Sequence, residues 1–200
     1  MANFNRIVLF YDFLKRLVFG KQLEKSSSHF LNQILPNSKV LIIGGGTGKI
    51  LLDFKSTHQI KYLELSIGMI EKAKQRHSKA QIQFIQADIL DWTTNDKFDV
   101  VITPFVLDCF NEDQLNLIFP KLKDALNENG EWIQNDFYPK NDAHRLLVKI
   151  MYRFFNRSTN LKVNELADFD SLFKKHNFIF KRKALFYDSM VECKIYQKID

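Results

Sequence analysis

The chain has 200 residues, which suits a single domain with a sizeable core. Hydrophobic residues make up 46% of it and charged residues 26%, as is typical of a soluble globular protein, and no stretch approaches the length of a membrane span. The net charge of +6 admits a nucleic-acid or membrane surface, but no module combines arginines with aromatic residues. We therefore interpret the positive surplus near the C-terminus as solvated surface.

Two cysteines, Cys109 and Cys193, lie far apart in the sequence and belong to no recognisable motif. Such cysteines predict free thiols in a reducing compartment. The N-terminus shows no secretory signal, because charged residues interrupt its apolar residues. These features together predict a cytoplasmic protein.

The first 35 residues predict two helices. Apolar residues recur at helical spacing between residues 3 and 19, and Gly20 would end that helix. The serines at positions 26–28 can cap a second helix through Leu35, which a proline then terminates.

A glycine-rich turn follows these helices. Residues 40–43 predict a buried strand, the glycines within residues 44–48 predict a tight turn, and residues 50–54 predict the start of a helix. In open α/β sheets such a turn binds a nucleotide-like ligand at the carboxyl ends of the strands. The spacing excludes a P-loop, which needs glycine at position 43 and a hydroxyl at position 50, where the chain has isoleucines. It also excludes a dinucleotide fingerprint, which needs glycine at position 49 instead of lysine.

Acidic residues accompany the next two predicted strands. Residues 61–66 predict the second strand, in which Glu64 lies 20 residues after Gly44. An acidic residue at the end of the second strand of a nucleotide crevice accepts hydrogen bonds from ribose hydroxyls. Residues 81–86 alternate polar and apolar side chains, which predicts a half-buried third strand, and Asp88 follows it.

The middle of the chain predicts a fourth strand, a helix and a fifth strand. Residues 98–102 are apolar enough for a central parallel strand that is buried on both faces. Asn111 caps a helix through Leu126, and Asn129-Gly130 is predicted to end that helix. Residues 131–137 then predict the fifth strand.

The last third of the chain predicts helices followed by a hairpin. Apolar residues recur at helical spacing within residues 138–177. Residues 178–187 and 191–199 predict two antiparallel strands, joined by a turn through Asp188-Ser189.

Four of these signals together resemble the class I S-adenosylmethionine-dependent methyltransferases of the small-molecule type. They are the glycine pattern Gly44-x-Gly46-x-Gly48, Glu64, Asp88 and the strand start Phe98-Asp99-x-Val101, in the family's order and spacing. The resemblance covers nearly the whole chain. It implies an α/β fold with a Rossmann-like, doubly wound, seven-stranded sheet, mostly parallel with an antiparallel C-terminal hairpin, and with helices on both faces.

The resemblance also implies how the chain is divided. Residues 1–200 would form a single methyltransferase domain. Its parts would be an N-terminal helical lid (1–35), a cofactor-binding core (39–137), a helical substrate-lid insertion (138–177) and a C-terminal β-hairpin (178–200).

The resemblance implies S-adenosyl-L-methionine as the cofactor and in-line methyl transfer to a small-molecule acceptor, in a monomer or homodimer, with neither metal, membrane nor nucleic acid as a partner. In the family the residue at Glu64 binds ribose, the residue at Asp88 binds the adenine amino group, and an aromatic residue such as Tyr11 covers the cofactor. The cofactor-binding residues so implied are Tyr11, Gly44, Gly45, Gly46, Gly48, Glu64, Leu65, Asp88, Ile89 and Thr103. Near the predicted acceptor mouth lie Asp108, Tyr138 and His144, and no residue stands out as a catalytic base.

One position departs from the family pattern. The family usually has Asp or Glu two residues before the first glycine, where it helps to hold the methionine end, and this chain has Ile42. The loop is instead similar to that of the polyamine aminopropyltransferases, although these carry an aspartate where this chain has Thr103-Pro104. Three other hypotheses therefore stay open: a cofactor-binding protein without turnover, an RNA or DNA methyltransferase, and an aminopropyltransferase-like enzyme.

Overall fold

The structure is a computed structural model that describes residues 20–159 and 166–199, and the side chains of all of these except residues 152–159. The helix predicted over residues 3–19, and Tyr11 with it, lies outside the described residues.

A single seven-stranded sheet organises the chain. Its strands lie in the order β3-β2-β1-β4-β5-β7-β6. The first five are mutually parallel, and β7 runs antiparallel to both β5 and β6. The order and directions confirm the predicted sheet. The strands are β1 (Lys39–Ile43), β2 (Gln59–Glu64), β3 (Gln81–Gln86), β4 (Phe98–Pro104), β5 (Leu126–Phe137), β6 (Phe178–Phe186) and β7 (Val191–Lys198).

Helices cover both faces of this sheet. Those on the first face contribute Phe119 and Phe173, which pack on Trp132 of β5. On the second face Leu51 and Ala73 pack on Ile42 and its neighbours. None of the described helices is both long and apolar enough to cross a membrane. The helices are α1 (Gln22–Ser28), α2 (Ile67–Lys74), α3 (Glu112–Ala125), α4 (Asp142–Thr159) and α5 (Phe169–Lys175), with 3-10 turns at Leu31–Gln33, Lys49–Asp53 and Leu107–Cys109.

The second predicted helix is wrong in its position. The helix α1 begins after Lys21 and ends at Ser28, so the serines lie in its last turns and do not cap its start. The hydroxyls of Ser26 and Ser27 both donate to the carbonyl of Leu23, which satisfies them inside the helix. Serine hydroxyls can bond to a preceding carbonyl as well as to an N-terminal amide, and the sequence does not distinguish these uses.

The role predicted for Asn129-Gly130 and the predicted start of the fifth strand are also wrong. The helix ends at Ala125, and β5 begins at once at Leu126, five residues earlier than predicted. Asn129 adopts a left-handed φ of 58° inside this strand. The register with β4 shifts here, since Phe98 pairs with Leu126 but Val100 pairs with Glu131. Asn129-Gly130 therefore forms an irregularity within a strand, because extra residues on one strand are accommodated as a bulge.

His176 makes the stability of the fold depend on pH. Burial, and then the neighbouring Lys175 and Lys123, lower the pKa of this imidazole below its usual 6.5. The unfolded chain therefore binds a proton more readily than the folded chain, and stability is lost as the pH falls through about 6.5 and below. We expect the thermal midpoint of His176→Gln to fall less than that of the wild type between pH 7.5 and pH 5.5. If differential scanning calorimetry showed that the thermal midpoints of the variant and the wild type fall equally over this pH range, the role of His176 would be contradicted.

Candidate functional site

The glycine turn lies at the carboxyl ends of the central strands. The amide of Gly44 donates to the carbonyl of Leu63 on β2 over 2.8 Å, which anchors the start of the turn. Gly44, Gly46 and Gly48 have φ values of 66°, 63° and 73°. Residues with a Cβ rarely adopt such values, so the turn requires glycine at these three positions.

Three glycines of this turn differ in what surrounds them. A Cβ on Gly44 would lie 2.5 Å from Val106 of the loop after β4, and one on Gly45 would lie 2.5 Å from the ring of Tyr62. A Cβ on Gly46 would meet nothing within 4 Å. The turn is thus packed tightly against the sheet on one side and open at Gly46, where a ligand can approach the backbone.

Glu64, the last residue of β2, is bound to this turn. Its Oε2 accepts a hydrogen bond from the amide of Gly46 over 3.1 Å, and its Oε1 accepts one from the amide of Ser66 over 3.0 Å. The hydroxyl of Tyr62 donates to the carbonyl of Gly46 over 2.8 Å. Burial, followed by the charge of Glu64, raises the pKa of Tyr62 well above its usual value, so this hydroxyl stays protonated. The carboxylate is therefore held beside the open side of the turn.

Gly45→Ala tests how tightly the glycine turn packs against Tyr62. The φ of Gly45 is not positive, so the effect of the added methyl group is purely steric. The methyl group would overlap the Tyr62 ring, which is fully buried and hydrogen-bonded to Gly46. Overpacking of this kind costs about 1–3 kcal/mol. We expect a loss of this size in urea unfolding, and its partial recovery in the double variant Gly45→Ala/Tyr62→Leu. Equal losses in the single and double variants would contradict the steric explanation.

Asp88 lies at the same edge as Glu64. The amide of Ala87 donates to the carbonyl of Glu64 over 3.3 Å, so the ends of β2 and β3 are adjacent. The Asp88 carboxylate accepts a hydrogen bond from the amide of Leu90 over 2.9 Å, which fixes the turn after β3. The side chain of Ile89 is buried in the core, whereas Leu65 is exposed at the edge.

Thr103 is oriented differently from the other predicted cofactor residues. Its side chain is fully buried, and its hydroxyl accepts a hydrogen bond from the indole of Trp132 over 2.9 Å. This side chain therefore faces the helix-covered core of the first face. The structure brings the glycines, Glu64 and Asp88 to one edge, but it does not bring the Thr103 hydroxyl with them.

The three predicted acceptor residues occupy different surroundings. Asp108 is buried in the turn after β4, beside Cys109. The Tyr138 hydroxyl donates to Oε1 of Gln134 over 2.9 Å, just past the end of β5. His144 lies near the start of α4, and its Nε2 is 3.6 Å from Oδ2 of Asp188 in the β6–β7 turn.

A buried polar cluster on β7 escaped sequence reasoning. The ammonium of Lys194 contacts both carboxylate oxygens of Asp170 (2.6 and 2.8 Å) and Oε2 of Glu192 (3.1 Å), and it lies 3.7 Å from the ring centre of Tyr138. The side chains of Lys194 and Glu192 are only 4% and 1% exposed. Burial alone would raise the pKa of Glu192, but hydrogen bonds from Lys140 and Lys194 outweigh it and lower that pKa. In the sequence these residues show only alternation with apolar neighbours, a pattern that a solvated strand face shares.

Comparison with known proteins agrees with this architecture. Residues 40–130 match a family model described as a methyltransferase domain. The chain is 26% identical over 170 residues to a malonyl-[acyl-carrier protein] O-methyltransferase of Acetivibrio thermocellus, covering 82% of this chain and 56% of that protein. It is 29% identical over 120 residues to the protein of the same description from Anoxybacillus flavithermus, covering 58% of this chain and 46% of that protein. The chain thus spans about half the length of these curated relatives.

Solved structures share the fold at low sequence identity. The N-methyltransferase NodS of Bradyrhizobium japonicum, in complex with S-adenosyl-L-homocysteine, superposes with a TM-score of 0.68 at 15% identity, over 90% of this chain and 85% of that one. The magnesium protoporphyrin IX methyltransferase of Synechocystis, also with bound S-adenosylhomocysteine, superposes with a TM-score of 0.66 at 18% identity, over 90% of this chain and 83% of that one. These likenesses confirm the predicted fold.

Proposed function

We propose that this protein transfers a methyl group from S-adenosyl-L-methionine to a small-molecule acceptor, because residues 40–130 match a family model described as a methyltransferase domain and the sheet has the predicted Rossmann-like architecture. The observation that carries the proposal is the position of the Glu64 carboxylate. It is bound to the amide of Gly46, at the one glycine of the turn whose Cα faces open space.

The residues at this edge fit the adenosine part of the cofactor. Glu64 would accept hydrogen bonds from the ribose, since a carboxylate can accept about four hydrogen bonds in all. Asp88, at the end of the neighbouring strand, would bind the adenine amino group. The open backbone at Gly46 would lie against the ligand, where a side chain would obstruct it.

S-adenosylmethionine supplies a methyl group that is activated by its positively charged sulfur, so the protein chiefly has to bind and align the two reactants. The loop after β4 and the residues beyond β5, among them Asp108 and Tyr138, border the space proposed for the acceptor. A base is needed only where the acceptor must lose a proton, and we assign none. The helix α4, whose Leu146 and Ile150 are exposed, is proposed as part of the acceptor lid.

The identity of the acceptor is tested by methyl transfer from radiolabelled S-adenosylmethionine. Malonyl thioesters are the first acceptors to try, because the two curated relatives are named for malonyl-[acyl-carrier protein]. Titration calorimetry with S-adenosylhomocysteine gives an independent test of the cofactor site, with an expected Kd in the micromolar range. Absence of binding would overturn the proposal.

A cofactor-binding protein without turnover is the second candidate. Ile42, which replaces the family's usual acidic residue, is fully buried in the sheet, so it cannot bind the methionine amino group. Binding of S-adenosylhomocysteine, together with no methyl transfer to any acceptor of a broad panel, would favour this candidate over the enzyme.

A further inference from the structure

One buried side chain that is hydrogen-bonded to Tyr138, a residue proposed to border the acceptor space, has an unsatisfied donor. Gln134 of β5 is fully buried, and its Oε1 accepts from the Tyr138 hydroxyl. Its Nε2 finds no acceptor among the residues that the structure describes. Leaving a buried donor without a partner costs folding free energy, so such a group in a native protein requires an explanation.

Gln134 is connected to the glycine turn by a short path. The amide of Phe105, in the loop after β4, donates to the carbonyl of Asn135 over 2.9 Å, which ties that loop to β5 beside Gln134. The next residue, Val106, packs against Gly44. Phe105 also has a left-handed φ of 55°, which is rare for a bulky residue, and backbone strain of this kind is concentrated at functional sites.

The neighbours of Gln134 hold it rigidly. Tyr138, which orients the amide, has the Lys194 ammonium 3.7 Å from its ring centre, and Lys194 is itself bound to Asp170. On β4 the partner of Gln134 is Thr103, whose hydroxyl accepts a hydrogen bond from Trp132. A fixed donor in packed surroundings is suited to recognising one atom of a ligand.

We propose that Gln134 determines acceptor specificity by donating a hydrogen bond from Nε2 to a carbonyl or carboxylate oxygen of the methyl acceptor. This inference rests on the proposed function and goes beyond it by naming the atom that reads the acceptor. Tyr138 acts as the positioning residue, because its hydroxyl fixes the orientation of the amide.

The test compares Gln134→Met, which keeps the length of the side chain and removes both its polar atoms, with the wild type. We expect kcat/KM for the malonyl thioester, or for the acceptor that the panel identifies, to fall roughly 10- to 100-fold. The Kd of S-adenosylhomocysteine should stay unchanged. We expect the double variant Gln134→Met/Tyr138→Phe to be more stable than Gln134→Met alone, because the hydroxyl that loses its acceptor in the single variant is then also removed.

Asn127→Leu serves as the matched control, since Asn127 lies on the same strand and its amide donates to Asp99 at the opposite end of the sheet. This variant should lose stability and keep its kcat/KM. An internal water bound to Nε2 would instead leave the kcat/KM of Gln134→Met at the wild-type value, and that result would overturn the inference alone. A wild-type chain that binds S-adenosylhomocysteine and methylates no acceptor would overturn the proposed function, and the inference with it.

Discussion

Glu64→Ala is expected to weaken the binding of S-adenosylhomocysteine by about 2–4 kcal/mol, or roughly 30- to 1,000-fold in Kd. The substitution would remove the carboxylate that we propose accepts two ribose hydrogen bonds. It would also release the amides of Gly46 and Ser66, which the carboxylate now fixes. Titration calorimetry measures the loss. The Kd of Glu64→Gln, which keeps the size of the side chain and one carbonyl oxygen, should lie between those of Glu64→Ala and the wild type.

The control for this experiment lies at the other end of the same strands. Asp96 is an exposed carboxylate that pairs with Lys61 of β2, near the amino ends of the strands. Asp96→Ala removes the same kind of group without touching the glycine turn, so the Kd should not change. Equal affinity of Glu64→Ala and the wild type would refute the assignment of Glu64 to the ribose.

Lys194→Met is expected to produce the largest loss of stability, about 3–5 kcal/mol in the free energy of unfolding. The ammonium is the buried counter-ion of Glu192, whose side chain is only 1% exposed. The substitution leaves the buried Glu192 carboxylate with only the half-exposed Lys140 and Lys183 as counter-charges. It also removes the contacts of the ammonium with Asp170 and with the Tyr138 ring. Urea unfolding monitored by tryptophan fluorescence measures the loss.

Two further variants separate this explanation from simple loss of packing. In Lys194→Met/Glu192→Met the buried carboxylate is also removed, so much of the stability should return. Lys61→Met, which breaks an exposed pair, should leave the free energy of unfolding almost unchanged. If the double variant were less stable than the single one, the buried-charge explanation would be wrong.

Several features of the site could be predicted from the sequence because local chemistry decides them. Glycine is needed at positions 44, 46 and 48 because the backbone has a positive φ there, and the spacing alone excluded the P-loop and the dinucleotide fingerprint. Glu64 and Asp88 were expected at one edge, since the carboxyl ends of adjacent parallel strands meet there. Their assignment to ribose and adenine remains a prediction.

Other features could not be predicted, because they depend on which surface is covered after folding. Glu192, Lys194 and Tyr196 alternate with apolar residues along β7, and such a pattern is the same for a solvated face and for a polar cluster beneath a helix. The orientation of Thr103 depends in the same way on the face that Trp132 occupies. Sequence spacing gives the residue's position in the strand, but not the partner of its side chain.

The sequence by itself determined the order of strands and helices, the glycine turn and the acidic residues beside it, because each depends on backbone geometry or on a spacing along the chain. Only the tertiary structure decided that Gln134 and Lys194 are buried and what they contact. These contacts join β5 to β7 and to α5, which are far apart in the sequence, and long-range packing carries no signature in any short stretch of residues.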